Sequence, residues 1–216
     1  MIVIILILLT LFLSSCSLSC DYLPAIYAFP PSIRSPLGID GNTLFLGANA
    51  SGGKSFYEED EINQGEGSLV IATGEEWFRF ASGGFMYFGR YNFNNSCDKI
   101  GWQPYFGFGI DFDMCIFTPT KLLNLGIGLQ AGFSAETGSY IEKAFDTGLL
   151  FFVPLFSQYL AFQYNISNNK KLFTRLGFGL PGLAYVDIGY YDLKFGGFWM
   201  GASLQSVSLG FSAKLK

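Results

Sequence analysis

Two carboxylates spaced two residues apart are the feature of this sequence most suggestive of chemistry. Asp111 and Asp113 close the stretch "IGWQPYFGFGIDFD", in which bulky apolar residues alternate with small or polar ones. In a β-strand, residues i and i+2 share one face, so both carboxylates would point the same way. Close carboxylates can share a proton, bind a cation or perform acid–base work.

Basic residues elsewhere offer a structural role for the same carboxylates. Four of them could neutralise the pair: Arg79, Arg90, Arg175 or Lys194. We favour this structural interpretation over catalysis. The expected polar network inside the folded domain consists of Asp111, Asp113, Gln103, Gln130 and Arg175.

The composition excludes several kinds of function. The chain contains no His, which removes the commonest general base and transition-metal ligand. The familiar barrel hydrolases rely on a His-assisted Ser or water, so we expect no enzyme, no cofactor and no metal site. The acidic run at residues 58–61 lacks the folded spacing of Ca²⁺ ligands. A net charge of −4 argues against nucleic-acid binding.

Two glycine patterns resemble nucleotide-binding motifs without their context. Residues 48–55, "ANASGGKS", match a loose phosphate loop, but the following "FYEEDEI" is a poor helix that places acid near the anion. Gly177, Gly179 and Gly182 spell G-x-G-x-x-G, yet the sequence beyond them alternates like a strand, where a dinucleotide site needs a helix. We interpret them as a hairpin loop and strand residues.

The N-terminus has the pattern of an export signal. The apolar run from Ile2 to Leu13 is shorter than the roughly 20 residues of a membrane-spanning helix, and small residues follow it. Leu13-Ser14-Ser15-Cys16 resembles the lipobox of bacterial lipoproteins, in which the Cys is lipidated and becomes the mature N-terminus. One departure is that no Lys or Arg precedes the run. We expect a signal peptide at 1–15 and lipidation of Cys16, with a plain cleaved signal or a short helical anchor as alternatives.

The three remaining cysteines do not form an obvious disulfide. If 100–113 is one strand, Cys97 and Cys115 lie near its opposite ends, whereas a disulfide needs Cα atoms within about 7 Å. A Cys20–Cys115 bond stays open if the N-terminal segment passes that end. Free buried thiols are the default expectation.

The remaining chain divides into a tether and a β-domain. Residues 16–41 carry Pro24, Pro30, Pro31 and Pro36, which favour an extended segment outside any central strand. From residue 42 to 216, strand-like stretches recur between turn-rich connections that alternate between long and short, as in an up-and-down meander. The stretch "EEWFRFASGGFMYFGRYNF" is either one long strand or two. We predict an all-β, antiparallel up-and-down β-barrel of roughly 8–12 strands.

The stretch "LNLGIGLQAGFSAE", residues 123–136, indicates what surrounds this barrel. Its odd positions are Leu, Ile, Ala and Phe, and its even positions are mostly Gly, Asn, Gln and Ser. A water-facing wall should carry many charged residues, but only 14% of the chain is charged. Transmembrane strands instead alternate between lipid and lumen. We therefore expect the bulky face to contact lipid, with an aromatic girdle drawn from Trp77, Tyr87, Trp102, Tyr159, Tyr164, Tyr185, Tyr190 and Trp199.

Taken as a whole, the chain resembles outer-membrane lipoproteins of Gram-negative bacteria, with a lipobox, a Pro-rich lead and a small barrel. The resemblance implies a lipid-anchored outer-membrane barrel that contacts membrane lipid and has a structural, interaction or small-solute passage role. The alternative is a soluble, calycin-like barrel held by its lipid, which would bind a small apolar ligand. That alternative places five residues in a shared interior: Phe106, Phe108, Leu125, Ile127 and Leu129. A lipid-modifying enzyme is the least favoured hypothesis.

Overall fold

A computed structural model describes most of the predicted β-domain. The described residues are 26, 29, 41–54, 60–75, 77–93, 101–118, 120–139, 149–180 and 183–215. The expected signal peptide, Cys16, Cys20 and Cys97 lie outside these residues. From the expected tether, Ile26 and Phe29 are described, and both are buried.

The domain is a closed antiparallel barrel of ten strands. The strands are β1 (Gly41–Lys54), β2 (Glu61–Glu75), β3 (Phe78–Phe93), β4 (Gly101–Phe117), β5 (Leu123–Gly138), β6 (Leu149–Asn165), β7 (Lys170–Leu180), β8 (Leu183–Asp192), β9 (Gly196–Ser203) and β10 (Ser206–Leu215). Each strand pairs with its neighbours in sequence, and β1 pairs with β10. This confirms the predicted fold class and strand range. In the described part of the chain, no helix is long and apolar enough to cross a membrane.

The register fixes how strongly the strands tilt. Cross-strand partners followed from Gly41 on β1, through β2 to β9, reach Ser203, which is hydrogen-bonded to Ser206 on β10. Ser206 pairs with Gly53, so one circuit of the barrel climbs twelve residues along β1, from 41 to 53. Strands in closed barrels with such a stagger tilt by about 40° from the axis. Each residue then adds about 2.5 Å to the height of the barrel.

Several strands are longer than their apolar stretches suggested. β1 continues through Lys54 and β2 begins at Glu61, so the prediction of a hairpin loop at residues 48–55 is wrong for residues 48–54, which are paired in the sheet. Gly, Ser and Asn are frequent in this extension and are typical of loops. Here their backbone groups nevertheless pair in the sheet between β1 and β2. β3 is one uninterrupted strand. Residues 48–54 lie in β1 and Gly177 and Gly179 in β7, so neither glycine pattern leads into a described helix.

The bulky face of the strands is the outside of the barrel. Phe106 is 42% exposed, Phe108 54% and Ile127 69%, and Leu125 is also exposed. The predicted alternation of residues 123–136, with the bulky odd positions on one face, is confirmed, and that face is the outer one. The prediction of a soluble barrel, that these side chains share an interior, is wrong because they lie at the outward positions of the pleat.

The outward apolar surface has the height of a bilayer core. On β4, the exposed Phe, Ile and Met side chains run from Phe106 to Ile116, and the exposed Trp102 lies beyond them toward the start of the strand. Ten residue steps at about 3.3 Å span about 33 Å along the strand, and a tilt of about 40° reduces this to a height of about 25 Å. Membrane barrels carry an apolar band about 25 Å tall.

Inward-facing glycines make room for aromatic rings. A Cβ on Gly107 would lie 2.1 Å from the ring of Tyr87, and one on Gly128 would lie 2.0 Å from the ring of Tyr159. Tyrosine rings therefore lie flat against neighbouring strands inside the barrel. This corrects half of the expected girdle: Tyr87, Tyr159, Tyr185 and Trp199 are buried, whereas Trp77, Trp102 and Tyr164 are exposed. The four buried residues occupy inward positions, where the three tyrosine hydroxyls find polar partners.

Candidate functional site

The described interior contains a network of charged and aromatic side chains centred on Asp113. Arg79 Nη2 lies 2.6 Å from Asp113 Oδ2. The hydroxyl of Tyr159 donates to Asp113 Oδ1 at 2.5 Å, and Arg79 Nη2 also donates to Tyr159 Oη at 2.9 Å. Asp113 is thus held by a cation and a hydroxyl that also bind each other.

A second ion pair joins this centre from the opposite strands. Arg175 donates from Nη2 and Nε to Asp187 Oδ2, at 2.7 and 3.1 Å. Arg175 Nη1 lies 3.9 Å from Asp113 Oδ2. The guanidinium also lies over the rings of Tyr159 and Tyr185, 5.0 and 5.8 Å from their centroids. Such cation–π contacts help to compensate a desolvated guanidinium.

The network crosses the barrel instead of following its wall. Its members come from β3, β4, β6, β7 and β8, and Arg79 and Tyr159 are three strands apart. Arg79, Arg175 and Asp187 are almost completely buried. We call the set Arg79, Asp113, Tyr159, Arg175 and Asp187 the central network. It holds two cations and two carboxylates, so its formal charges balance.

The strand parity explains how these residues meet. All five members occupy inward positions on their strands. Arg175 and Asp187 are direct partners in the register of β7 and β8. Arg79 is opposite Cys115, so it reaches Asp113, the next inward residue along β4. Cys115 itself is a free, buried thiol.

The structure divides the predicted polar network into three parts. Asp113 and Arg175 belong to the central network. Asp111 is buried beside it and accepts a hydrogen bond from Gln130 Nε2 at 2.7 Å. Gln103 lies apart, near the start of β4, where Ser139 Oγ donates to its Oε1 at 2.8 Å. Of the other proposed cations, Arg90 and Lys194 are exposed.

A second polar cluster lies nearer the end of the barrel that carries the β1–β2, β3–β4 and β5–β6 connections. Tyr87 donates to Glu136 Oε2 at 2.9 Å, and Tyr91 donates to Asp60 Oδ2 at 3.2 Å. Tyr105 donates to Gln64 Oε1 at 3.0 Å. Tyrosine hydroxyls therefore serve as the donors to these buried oxygens. No group of His, Cys, Asp or Glu with the geometry of a metal site occurs among the described residues.

Sequence reasoning missed Asp187 and placed Tyr159 in the lipid girdle. A signal for Asp187 was present, because positions 175 and 187 are equidistant from 181, in a Pro-Gly sequence that is typical of a turn. A tight hairpin centred there makes Arg175 and Asp187 cross-strand partners, and opposite charges at such positions stabilise a sheet. Tyr159 could be placed correctly only by knowing which residues of β6 face the interior of the barrel.

The geometry of Asp113 is that of a paired charge. A carboxylate already bound by a guanidinium and a hydroxyl is a poor general base, since its oxygens are engaged. The paired charges instead stabilise each other at a largely buried site, where the side chains of Arg79 and Asp113 are 2% and 12% exposed. Their chemical effect is to connect five strands through the interior.

Comparison with known proteins finds solved structures that resemble this chain in shape at low sequence identity. No protein-family model matches it, and no curated protein matches its sequence. It is similar to Neisserial surface protein A, with 12% identity over 82% of this chain and 97% of that chain and a TM-score of 0.40. Ail of Yersinia pestis gives 12% identity, 82% and 100% coverage and a TM-score of 0.39. An outer membrane channel from Pseudomonas putida gives 9% identity, 87% and 100% coverage and a TM-score of 0.46.

Proposed function

We propose that this protein is an integral β-barrel of the Gram-negative outer membrane, with a structural or interaction role and an interior closed by the central network. The observation that supports this most directly is the outward band of Phe, Leu, Ile and Met around a closed sheet. In water, a contiguous apolar patch of this size would cause aggregation. In a bilayer it is the surface that lipid solvates.

Closure of the sheet meets a second requirement for a membrane-spanning protein, which is that its backbone hydrogen-bonding groups are paired. An unpaired backbone group in the hydrocarbon region costs several kcal/mol, so only structures without free edges span it. The pairing of β1 with β10 removes both edges. The lipid proposed at Cys16 would add an anchor to a body that the bilayer already holds.

The central network supports a structural role over that of an open channel. A barrel of about eight strands is usually filled by side chains, and wide pores belong to barrels of 16 strands or more. Here Arg79, Asp113 and Arg175 meet across the interior. Passage of a solute at this level would require the ion pairs to separate.

Membrane insertion can be tested with a Cys16→Ala variant, which removes the proposed lipid. We expect both the variant and the unaltered protein to stay with the membranes after sodium carbonate extraction. Release of the variant into the supernatant would show a tethered soluble domain and contradict the proposal.

The closed interior is tested separately by swelling of proteoliposomes in a small sugar. We expect no uptake beyond that of empty vesicles, and rapid uptake would contradict closure.

A further inference from the structure

One amide interrupts the lipid-facing surface of the described strands. Gln158 lies on β6 at an outward position and is exposed. Its outward neighbours along the strand are Phe156 and Leu160, and its register partners on β5 and β7 are Leu129 and Phe178. Apolar side chains therefore surround it on all four sides. The side chain of Gln158 has no hydrogen-bond partner in the described part of the chain.

Shallow apolar depressions flank this amide on the outer wall. One has a volume of about 620 Å³ and includes Leu176, Val186 and the small residues Ala184 and Ala202. The other has a volume of about 970 Å³ and includes Met114, Ile116 and Leu125. Gln158 borders both. Small side chains at a membrane interface let two protein surfaces approach closely.

The hydrogen-bonding groups of the Gln158 amide indicate what kind of group would bind it. A carboxamide presents an acceptor oxygen and a nitrogen with two donor hydrogens. Acyl chains offer neither donor nor acceptor, so lipid leaves the group unsatisfied. Another carboxamide satisfies both functions at once, and interhelical amides stabilise membrane assemblies in this way. In a two-fold symmetric pair, a residue near the axis meets its own copy.

We propose that the protein forms a symmetric dimer in the membrane, in which Gln158 of one copy exchanges hydrogen bonds with Gln158 of a second copy. The inference rests on the membrane location proposed above. The two-fold axis passes beside β6, and the flanking depressions receive the apolar side chains of the other barrel. We take the partner to be a second copy of this chain because the same patch on that copy carries both a matching amide and the apolar side chains around it.

The test uses the full chain in phospholipid vesicles at a low protein-to-lipid ratio. The association constant is measured by energy transfer between donor-labelled and acceptor-labelled copies, for the unaltered protein and for Gln158→Leu. We expect at least a tenfold lower association constant for Gln158→Leu. Thr174→Val, which removes an outward hydroxyl from β7, is the control and should leave the constant unchanged.

Cross-linking locates the interface independently. In a background with Cys20, Cys97 and Cys115 changed to Ser, Gln158→Cys should form a disulfide dimer on mild oxidation. Leu46→Cys is the matched control, since Leu46 is 49% exposed on β1, five strands away around the barrel. Equal cross-linking at both positions would overturn the proposed interface.

Insertion of every variant is checked by the difference in gel mobility between unheated and heated samples. An inserted, unaltered barrel that stays monomeric overturns the dimer and leaves the membrane proposal standing. Unchanged association of Gln158→Leu also overturns the dimer. A chain that does not insert into vesicles overturns both proposals.

Discussion

Replacing Asp187 by Asn tests whether the ion pair between β7 and β8 stabilises the barrel from inside. Arg175 Nη2 lies 2.7 Å from Asp187 Oδ2, and the two side chains are 3% and 0% exposed. The change keeps the size of the side chain and an acceptor oxygen but removes the negative charge. Arg175 is then left with Asp113, 3.9 Å away, as its nearest carboxylate partner.

The expected loss follows from the burial of this pair. Two unit charges 4 Å apart interact by about 4 kcal/mol at an effective dielectric constant near 20. Removing one partner of a buried ion pair costs about 3–5 kcal/mol, because the other charge is left uncompensated. Since the amide oxygen still accepts a hydrogen bond, we expect Asp187→Asn to lower the free energy of unfolding by about 3 kcal/mol.

The assay is urea unfolding of the refolded barrel in lipid vesicles, followed by tryptophan fluorescence. Glu75→Gln, a carboxyl-to-amide change at an exposed position, is the control and should stay within about 0.5 kcal/mol of the unaltered protein. Combining Asp187→Asn with Arg175→Gln should cost at least about 1 kcal/mol less than the sum of the single changes. A loss below about 0.5 kcal/mol for Asp187→Asn, or strict additivity, would refute the reasoning.

Three further predictions concern the wall of the barrel. Gly128→Ala places a Cβ 2.0 Å from the ring of Tyr159 and should destabilise by about 1–3 kcal/mol in urea unfolding. Gly67→Ala, which meets nothing within 4 Å, should have little effect, and equal losses would contradict the packing. Ile110→Lys, midway along the outward apolar residues of β4, should cost about 2–4 kcal/mol in vesicles, against about 0–1 kcal/mol for Asn63→Lys beyond the apolar band, and similar costs at both positions would contradict lipid contact. In a variant whose remaining cysteine is the buried Cys115, maleimide should add mass in urea but not to the folded barrel, and labelling of the folded protein at the unfolded rate would be the contrary result.

The alternation of apolar and small residues predicted the fold and its orientation well. Residues 123–135 switch faces without error, and this period of two is a property of the pleat, so it can be seen without a structure. The same parity placed Asp111 and Asp113 on one inward face. Their burial follows from that placement.

Side-chain partners across the interior could not be predicted in the same way. Arg79 and Tyr159 are 80 residues apart, and their contact depends on the number of strands and on the stagger of the closed sheet. The parity of β6 was also ambiguous, because "LLFFVPLF" is apolar at both odd and even positions. The sequence therefore allowed Tyr159 to be assigned to the lipid-facing side of β6. In the structure its side chain lies inside the barrel and contacts Asp113.

Strand lengths were underestimated for a related reason. Residues 51–54 and 61–67 are rich in Gly, Ser, Asn and Glu, which ordinarily indicate a loop. In the barrel these residues extend β1 and β2 as a paired hairpin. Backbone pairing, which composition does not reveal, decides where these strands end.

The most direct test of the central claim is a nitroxide scan of residues 123–135 in vesicles, with collision rates measured against molecular oxygen, which concentrates in lipid. Labels at odd positions such as Leu125 and Ile127 should collide often, and labels at the even positions that already carry a side chain, Asn124, Gln130 and Ser134, should be shielded. Shielded odd positions with exposed even ones, or no alternation at all, would contradict a barrel whose bulky side chains face the bilayer.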